Sequence, residues 1–221
     1  EDEIIRKQLE SVLEGSFGSF GFQPIDTPAL EYSEILLGKG GGETDKQVYR
    51  FNDHGSRDIA LRFDLTVPFA RFMAAHGREI PLPFKRYHIA KVWRGENTQR
   101  GRFREFKQCD FDIVGIDSVY ADLEVLLLIA HCFSMLGISD ITIEVSQRQV
   151  FNRFLENIDC AGVSADILRL VDKLAKIGQE KVEAGLGELV TSQNVAKILA
   201  YIKMESTFEE TLRKAEDAAG G

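Results

Sequence analysis

Between Phe84 and Lys107 the chain carries eight basic residues, Lys85, Arg86, Lys91, Arg94, Arg100, Arg102, Arg104 and Lys107, against two acidic ones, Glu96 and Glu105. The window is +6 in a chain of net charge −8, so the remainder holds −14. Scattered solvating charges are not expected to segregate this way. Five of the eight are arginines, whose planar guanidinium grips phosphate through two parallel hydrogen bonds. The window reads as a polyphosphate or nucleic-acid site, with a solvated basic surface as the alternative. Just beyond it, Cys109, Phe111 and Ile113 alternate with Gln108, Asp110 and Asp112. In a strand these two sets face opposite ways. An ordinary half-exposed strand shows the same alternation. The sharper reading is a pocket lined by the polar face, its carboxylates holding a cationic group such as a substrate amine.

Other chemistries leave no trace. There is no G-x-x-x-x-G-K-[ST], and no G-x-G-x-x-G follows a strand, so a nucleotide would rest on arginines of a sheet rather than on a helix N-terminus. Cys109, Cys132 and Cys160 form no C-x-x-C, which speaks against a disulfide framework or a structural zinc site. No metal site is expected, and a reduced, cytoplasmic chain fits best. Cys109, on the apolar face, is expected to be a packed thiol, and His88 a packing residue. With 221 residues, 44% apolar, 28% charged and fifteen Phe, the composition excludes collagen-like and disordered chains. The longest apolar stretch, Val125 to Ala130, is too short to cross a bilayer.

The elements that must position these residues follow from pattern. Helical spacing over Glu3 to Phe17 ends at Gly18 and Gly21, and two prolines make residues 21–31 extended. Lys39 to Glu43 reads as a glycine-rich loop. Strands are expected at Gln47–Phe51 and Ile59–Phe63 around a turn at Asp53 to Ser56, then a helix over Leu65 to His76. Tyr87–Arg94 and Arg104–Val114 form a long antiparallel hairpin with its tip at Gly95 to Gly101. Val119 to Leu136 is helical, and Asp140–Val145 is a strand. Helices are expected at Val150–Ile158, Ser164–Leu174, Gln179–Leu189 and Val195–Met204. Near residue 147 a mixed, antiparallel-sheet domain gives way to a helical one.

The run from Phe84-Lys85-Arg86-Tyr87 through Trp93-Arg94-Gly95-Glu96, and on from Arg100-Gly101-Arg102-Phe103-Arg104 to Gln108-Cys109-Asp110-Phe111-Asp112, resembles motif 2 of the histidyl-tRNA synthetase family, class II aminoacyl-tRNA synthetases. Arg62-Phe63-Asp64-Leu65-Thr66-Val67-Pro68 resembles that family's histidine-binding segment. Thr27-Pro28 with Leu30-Glu31 resembles its motif 1, which forms a dimer interface. Similarity continues through Val171-Asp172-Lys173-Leu174, covering nearly the whole chain. The resemblance implies an α+β fold, a class II antiparallel β-sheet flanked by helices. It assigns residues 1–147 to a partial catalytic core and 148–221 to a smaller all-helical insertion domain that meets the tRNA acceptor stem.

The resemblance also implies an activity. ATP, entering with Mg2+, and histidine give histidyl-adenylate, and the histidyl group moves to tRNA(His) on a cytoplasmic homodimer built through motif 1, without a membrane. Arg94 matches the catalytic arginine at the α-phosphate. Glu96 matches the acid that reads the adenine amino group, Phe106 the aromatic that stacks on adenine, and Arg102 and Arg104 the arginines at the phosphates. Asp64, Thr66, Gln108 and Asp112 match residues that hold the histidine amino group and imidazole. Leaving such groups unpaired by a wrong amino acid costs enough for strong discrimination.

The family's second histidine-binding segment (R-G-L-D-Y-Y), motif 3, anticodon-binding domain and upstream G-T-R-D are not found in these residues. Both ends look cut, and the chain alone is expected to bind ATP or histidine weakly and to adenylate poorly. One alternative is a histidine-sensing regulatory subunit of ATP phosphoribosyltransferase, which shares the fold without aminoacylating. The combination of Arg94, Glu96 and Phe106 speaks against it, because a sensor of histidine need not read adenine. A nucleic-acid-binding module without enzymology explains the basic window, but not Asp64, Gln108 and Asp112.

Overall fold

A computed structural model describes residues 2–37, 47–97, 99–203, 205 and 207–220. The expected glycine-rich loop at Lys39 to Glu43 lies outside the described residues, as does Thr98 in the hairpin tip. The chain divides into two compact units, Glu1–Ile143 and Glu144–Gly221.

In the first unit, helix α1 (Asp2–Ser19) begins with Asp2 and Glu3 in its first turn, where acidic side chains favour the helix dipole. It runs through Gly18, and the stop is made at Gly21, whose φ of 78° lets the chain turn back. Phe22 then donates to the Phe17 carbonyl at 3.0 Å. Strand β1 (Gln23–Pro24) follows, then β2 (Leu30–Tyr32), the short helix α2 (Ser33–Leu37), β3 (Arg50–Asn52) and β4 (Asp58–Leu61). The β3–β4 turn forms because Asp53 Oδ1 accepts from the amides of Gly55 and Arg57 at 2.8 and 2.9 Å. Helix α3 (Thr66–His76), strands β5 (Phe84–Trp93) and β6 (Glu105–Val114) and helix α4 (Val119–Met135) complete this unit.

One sheet has the order β1-β5-β6, parallel then antiparallel, and the other is antiparallel in the order β2-β4-β3. The hairpin pairs in unbroken register from Phe84 opposite Val114 to Trp93 opposite Glu105. That register fixes its faces. Tyr87 and Ile89 share one face with Cys109, Phe111 and Ile113. This face packs with Phe17, Phe22, Leu128 and Cys132 of α1, the following turn and α4 to form a core. Arg86, His88 and Ala90 share the opposite face with Asp112, Asp110 and Gln108, and there the polar residues gather. The two sheets meet where the Trp93 amide donates to the Arg62 carbonyl at 3.1 Å.

Two expectations are corrected here. Asp140–Val145 is not a strand: residues 138–147 carry no regular structure, and Val145 is 65% exposed. An alternating pattern becomes a strand only where another strand pairs with it, and none of the described residues does so. Cys109 lies on the apolar face as expected, yet its side chain is exposed rather than packed.

The regular structure described in the second unit is all helical, with α5 (Arg148–Asn157), a 3₁₀ turn at Ala161–Val163, α6 (Ser164–Val171), α7 (Leu174–Ile177), α8 (Gln179–Leu189), α9 (Ser192–Ile202) and α10 (Phe208–Ala219). The single helix expected over Ser164–Leu174 is thus two, and α2 and α10 were not expected. Its core is its own: Phe151, Phe154, Leu155, Ile167, Val182, Leu186, Val195 and Ile198 are buried together. The Phe154 ring stacks on Tyr201 at 4.3 Å. Among the described residues no helix is long and apolar enough to cross a membrane.

Candidate functional site

The hairpin's polar face is framed by buried arginines that tie its neighbours in place. Arg62 is buried and donates through Nε to the Lys91 carbonyl at 2.8 Å and through Nη1 to the Thr27 carbonyl at 2.6 Å. One side chain thus joins β5, the end of β4 and the loop before β2. Arg86 is fully buried, lies 4.2 Å from the centre of the Phe69 ring and pairs with Asp112. Its Nε and Nη1 have no hydrogen-bond partner among the described residues. His88 is also buried and meets Asp26 Oδ1 through Nε2 at 3.0 Å. It is a packed residue, as its strand position suggested, partnered through Nε2 while its buried Nδ1 has no partner among the described residues.

Arg94 emerges at the end of β5. Its backbone amide bonds the Arg104 carbonyl at 2.9 Å, which holds the two strands together at the start of the loop. Its side chain donates from Nε to the Phe63 carbonyl at 3.2 Å. The guanidinium lies 4.5 Å from the Phe63 ring centre and 5.1 Å from that of Phe106, distances at which a cation is attracted to a ring face. The segment preceding α3 is therefore held against the hairpin at the arginine the sequence singled out. Glu96 accepts from Arg102 Nη1 at 3.3 Å through its carboxylate and from Arg104 Nε at 3.3 Å through its backbone carbonyl. Arg102 and Arg104 are exposed, so the loop arginines stand over the site with their charge toward water.

Asp64 accepts from the Val67 amide at 2.9 Å and so caps the first turn of α3. Gln108 presents a buried Oε1 with no hydrogen-bond partner among the described residues. Between Gln108 and Asp112 stands Asp110, opposite His88 in the register. Burial raises the Asp110 carboxyl above its ordinary 3.8; Arg86 draws it down, Asp112 and Asp64 push it up, and Arg94 draws it down. Those influences place Asp64, Asp110, Asp112, Arg86 and Arg94 in one electrostatic neighbourhood. Of the residues singled out from sequence, Arg94, Phe106, Asp64, Gln108 and Asp112 come together here, with Glu96, Arg102 and Arg104 on the adjoining loop. Thr66 opens α3 with an exposed side chain and no hydrogen bond to the hairpin among the described residues.

Asp110 and Arg86 are not among the residues matched to the family's site, although Asp110 is one of the carboxylates read as holding a cationic group and Arg86 one of the basic window. Asp110 was visible as a member of the polar face. The pairing of Arg86 with Asp112 required the register, which fixes Arg86 opposite Asp112. Among the described residues no group of three or more His, Cys, Asp or Glu side chains is disposed to hold a metal ion. An open hollow of about 430 Å³ lies elsewhere, lined by Asp26, Thr27, Pro28, Ala29 and Arg62. Its lining brings one carboxylate, Asp26, and the already engaged Arg62, against the several carboxylates and the basic loop of the hairpin face, so chemistry favours the hairpin face as the candidate site.

Comparison with known proteins agrees across sequence and structure. The family model described as histidyl-tRNA synthetase matches residues 3–220. A histidine–tRNA ligase of Treponema denticola is 54% identical over 226 residues, taking in 100% of this chain and 50% of that protein. One from Treponema pallidum is 49% identical over 227 residues, 100% of this chain and 51% of that protein. The chain spans about half the length of the curated relatives it matches. A crystal structure of histidyl-tRNA synthetase from Nostoc sp. PCC 7120 superposes with a TM-score of 0.83 at 30% identity, over 96% of this chain and 48% of that one. A structure titled as an ATP phosphoribosyltransferase regulatory subunit/histidyl-tRNA synthetase, from Bacillus halodurans C, superposes with a TM-score of 0.79 at 19% identity over 96% of this chain and 54% of that one, a likeness of fold.

Proposed function

The chain belongs to the histidyl-tRNA synthetase family, and from that premise we propose that it carries the ATP- and histidine-binding part of a histidine–tRNA ligase. The observation that carries this reading is one hairpin on which Arg94, 4.5 and 5.1 Å from the Phe63 and Phe106 rings, stands at the loop end of a polar face that holds Gln108, whose buried oxygen has no partner among the described residues. ATP would lie along the loop end, with adenine on the half-exposed Phe106 ring and its amino group at Glu96. The Glu96–Arg102 pair opens to admit it, freeing Arg102 for phosphate beside Arg104. Mg2+ enters as part of the nucleotide substrate, on the phosphate oxygens. Histidine would lie farther down β6, its ammonium and imidazole among Asp64, Thr66, Gln108 and Asp112.

In the reaction so placed, an oxygen of the histidine carboxylate attacks the α-phosphorus. The bond to the bridging oxygen breaks, and histidyl-adenylate and pyrophosphate result. The attacking carboxylate is already ionised, so no general base is required. Negative charge builds on the α-phosphate oxygens, and Arg94, held by the Phe63 carbonyl and two rings before any ligand arrives, stabilises it without reorganising. Holding both substrates in line removes much of the entropic barrier.

Transfer of the histidyl group to tRNA(His) belongs to the same reading, with the helical second unit as an insertion domain toward the acceptor stem. A homodimer through residues 27–32 is supported by Leu30 and Tyr32, 46% and 40% exposed on a three-residue strand. The reading carries a cytoplasmic location with it. Titration of the chain with Mg-ATP, followed by amide chemical shifts, tests the core of the proposal. Shifts should centre on residues 94–106 in the wild type, and Arg94→Ala should weaken binding at least about tenfold, as expected for a charge-assisted phosphate contact. ATP shifts scattered away from the hairpin would overturn the reading, and histidine binding without ATP binding would favour the regulatory-subunit alternative. Pyrophosphate exchange by this chain alone should be slow.

A further inference from the structure

Residues 62–65, between β4 and α3, are neither strand nor helix, yet the Phe63 carbonyl among them is the acceptor that holds Arg94 Nε. A carbonyl in such a segment stays in place only through what anchors its neighbours. On one side Asp64 caps α3 through the Val67 amide at 2.9 Å. On the other stands Arg62. Its amide donates to the Ala29 carbonyl at 2.9 Å, and its carbonyl accepts from the Trp93 amide at 3.1 Å. Its side chain, 5% exposed, donates to the Lys91 carbonyl at 2.8 Å and the Thr27 carbonyl at 2.6 Å. Asp26 Oδ1 lies 3.8 Å from Nη1 and is already bonded to His88. A buried cation is a weak source of stability, since desolvation offsets much of what its partners contribute. What a planar guanidinium supplies is geometry: donors at fixed spacing, here tying β5 to the segment before β2.

We propose that Arg62 is a positioning residue for Arg94, setting its guanidinium for the phosphate before ATP arrives. This deepens the reading of Arg94 as the phosphate-binding arginine and rests on it. Two routes run from Arg62 to Arg94. Along β5, the Arg62 carbonyl holds the amide of Trp93, the residue before Arg94, while the Arg62 side chain holds the carbonyl of Lys91. The strand is thus gripped on both sides of the buried Val92. Along its own segment, fixing Arg62 fixes Phe63, whose carbonyl and ring hold the Arg94 side chain. A long side chain ordered in advance loses less freedom on binding and meets developing charge without reorganising. The Arg62 side chain is itself turned to Lys91 and Thr27, so it acts through Arg94 rather than on the nucleotide.

Arg62→Lys keeps the charge and most of the bulk, but a single ammonium does not span two carbonyls as the fork does. Wild type and variant, compared first by circular dichroism, are titrated with Mg-ATP and with adenosine, which keeps the base but carries no phosphate. The substitution should weaken Mg-ATP about 3- to 10-fold, within the range of coupling between residues that share contacts, and change adenosine affinity less than about twofold. Placed on Arg94→Ala, it should weaken Mg-ATP by less than about a further twofold, because the group it positions is gone. The Arg94 Nε–H resonance adds a reading that fold stability alone would not move: it should exchange slowly in the ligand-free wild type and faster in Arg62→Lys. If wild type binds Mg-ATP and Arg62→Lys binds it equally, if adenosine weakens as much as Mg-ATP, or if the two substitutions add in full, the inference falls while the site stands. A freely exchanging Arg94 Nε–H in the ligand-free wild type overturns it as well, and decides the matter even where Arg62→Lys does not fold. If wild type takes up no Mg-ATP, the reading of the site falls, and this inference with it.

Discussion

The buried cations of the hairpin face show how single residues divide stability from binding. Arg86 is wholly enclosed, and its pairing with the partly exposed Asp112 offsets part of the desolvation cost of the guanidinium. Any change at Asp112 therefore leaves a buried guanidinium without its carboxylate and disturbs folding. His88 makes the complementary case. Burial lowers its pKa from the ordinary 6.5; the hydrogen bond to Asp26 raises it, Arg62 lowers it, Asp26's charge raises it and Arg86 lowers it, with a net downward shift. The folded state accordingly keeps the ring neutral where the unfolded chain would protonate it. Its contribution to stability is complete above pH 6.5 and is lost as pH falls from there toward the depressed folded value. Urea denaturation between pH 7.5 and 5 should show wild-type stability declining, and His88→Gln should decline less steeply. Parallel pH slopes for the two proteins would show that His88 is not held neutral. Part of this was readable beforehand, since a histidine inside an alternating strand suggests packing. The flanking Asp26 and Arg62 come from 62 and 26 positions away and needed the fold.

Among the elements, the β5–β6 hairpin was the most legible because three independent signals coincide there: period-two alternation, a polar glycine-bearing tip, and a segregated basic charge. Its end rests on a backbone requirement at Gly115. There φ is +87°, and a Cβ would come within 2.7 to 2.8 Å of the Leu82 side chain. Gly115→Ala should therefore cost about 1–3 kcal/mol, combining the left-handed backbone with steric crowding. Thermal denaturation would read this as a Tm lower by several degrees, and an unchanged Tm would mean that the turn has another conformation open to it. Elements whose signal depends on distant partners were harder to read. Asp140–Val145 has the composition of a strand, but strand formation is settled by pairing, and no described strand lies beside it. Helix α10 differs: it is amphipathic, with Glu209, Glu210, Glu216 and Asp217 among its polar residues, but its pattern does not say what its apolar side packs on. What holds it is packing on α5, including the bond from Asn157 Nδ2 to the Ala218 carbonyl at 2.9 Å, a contact across 61 positions that local pattern does not carry.

At the scale of the whole molecule, the division at Ile143 and Glu144 separates two cores that share no buried residue. The first is assembled between the hairpin and helices α1 and α4. The second closes entirely within residues 151–198, with α10 added over α5. A core drawn wholly from one contiguous segment has the means to fold without the other, and the segment joining the two has no regular structure from 138 to 147. Exposed backbone without ladder or helix bonds is where proteases cut first. Brief digestion with a protease of broad specificity should therefore cleave within 138–147, and mass spectrometry should find a resistant product beginning near Glu144. That product should keep a helical circular-dichroism spectrum and a cooperative thermal transition. Within it, Phe154→Ala, which removes the ring stacked on Tyr201 and enclosed by the core, should cost about 3–5 kcal/mol and lower that transition. In the undigested chain the same substitution should leave Mg-ATP shifts at the hairpin unchanged, because Phe154 belongs to the other core. A released product that is unfolded, or one whose melting ignores Phe154→Ala, would show that the helical core does not sustain itself.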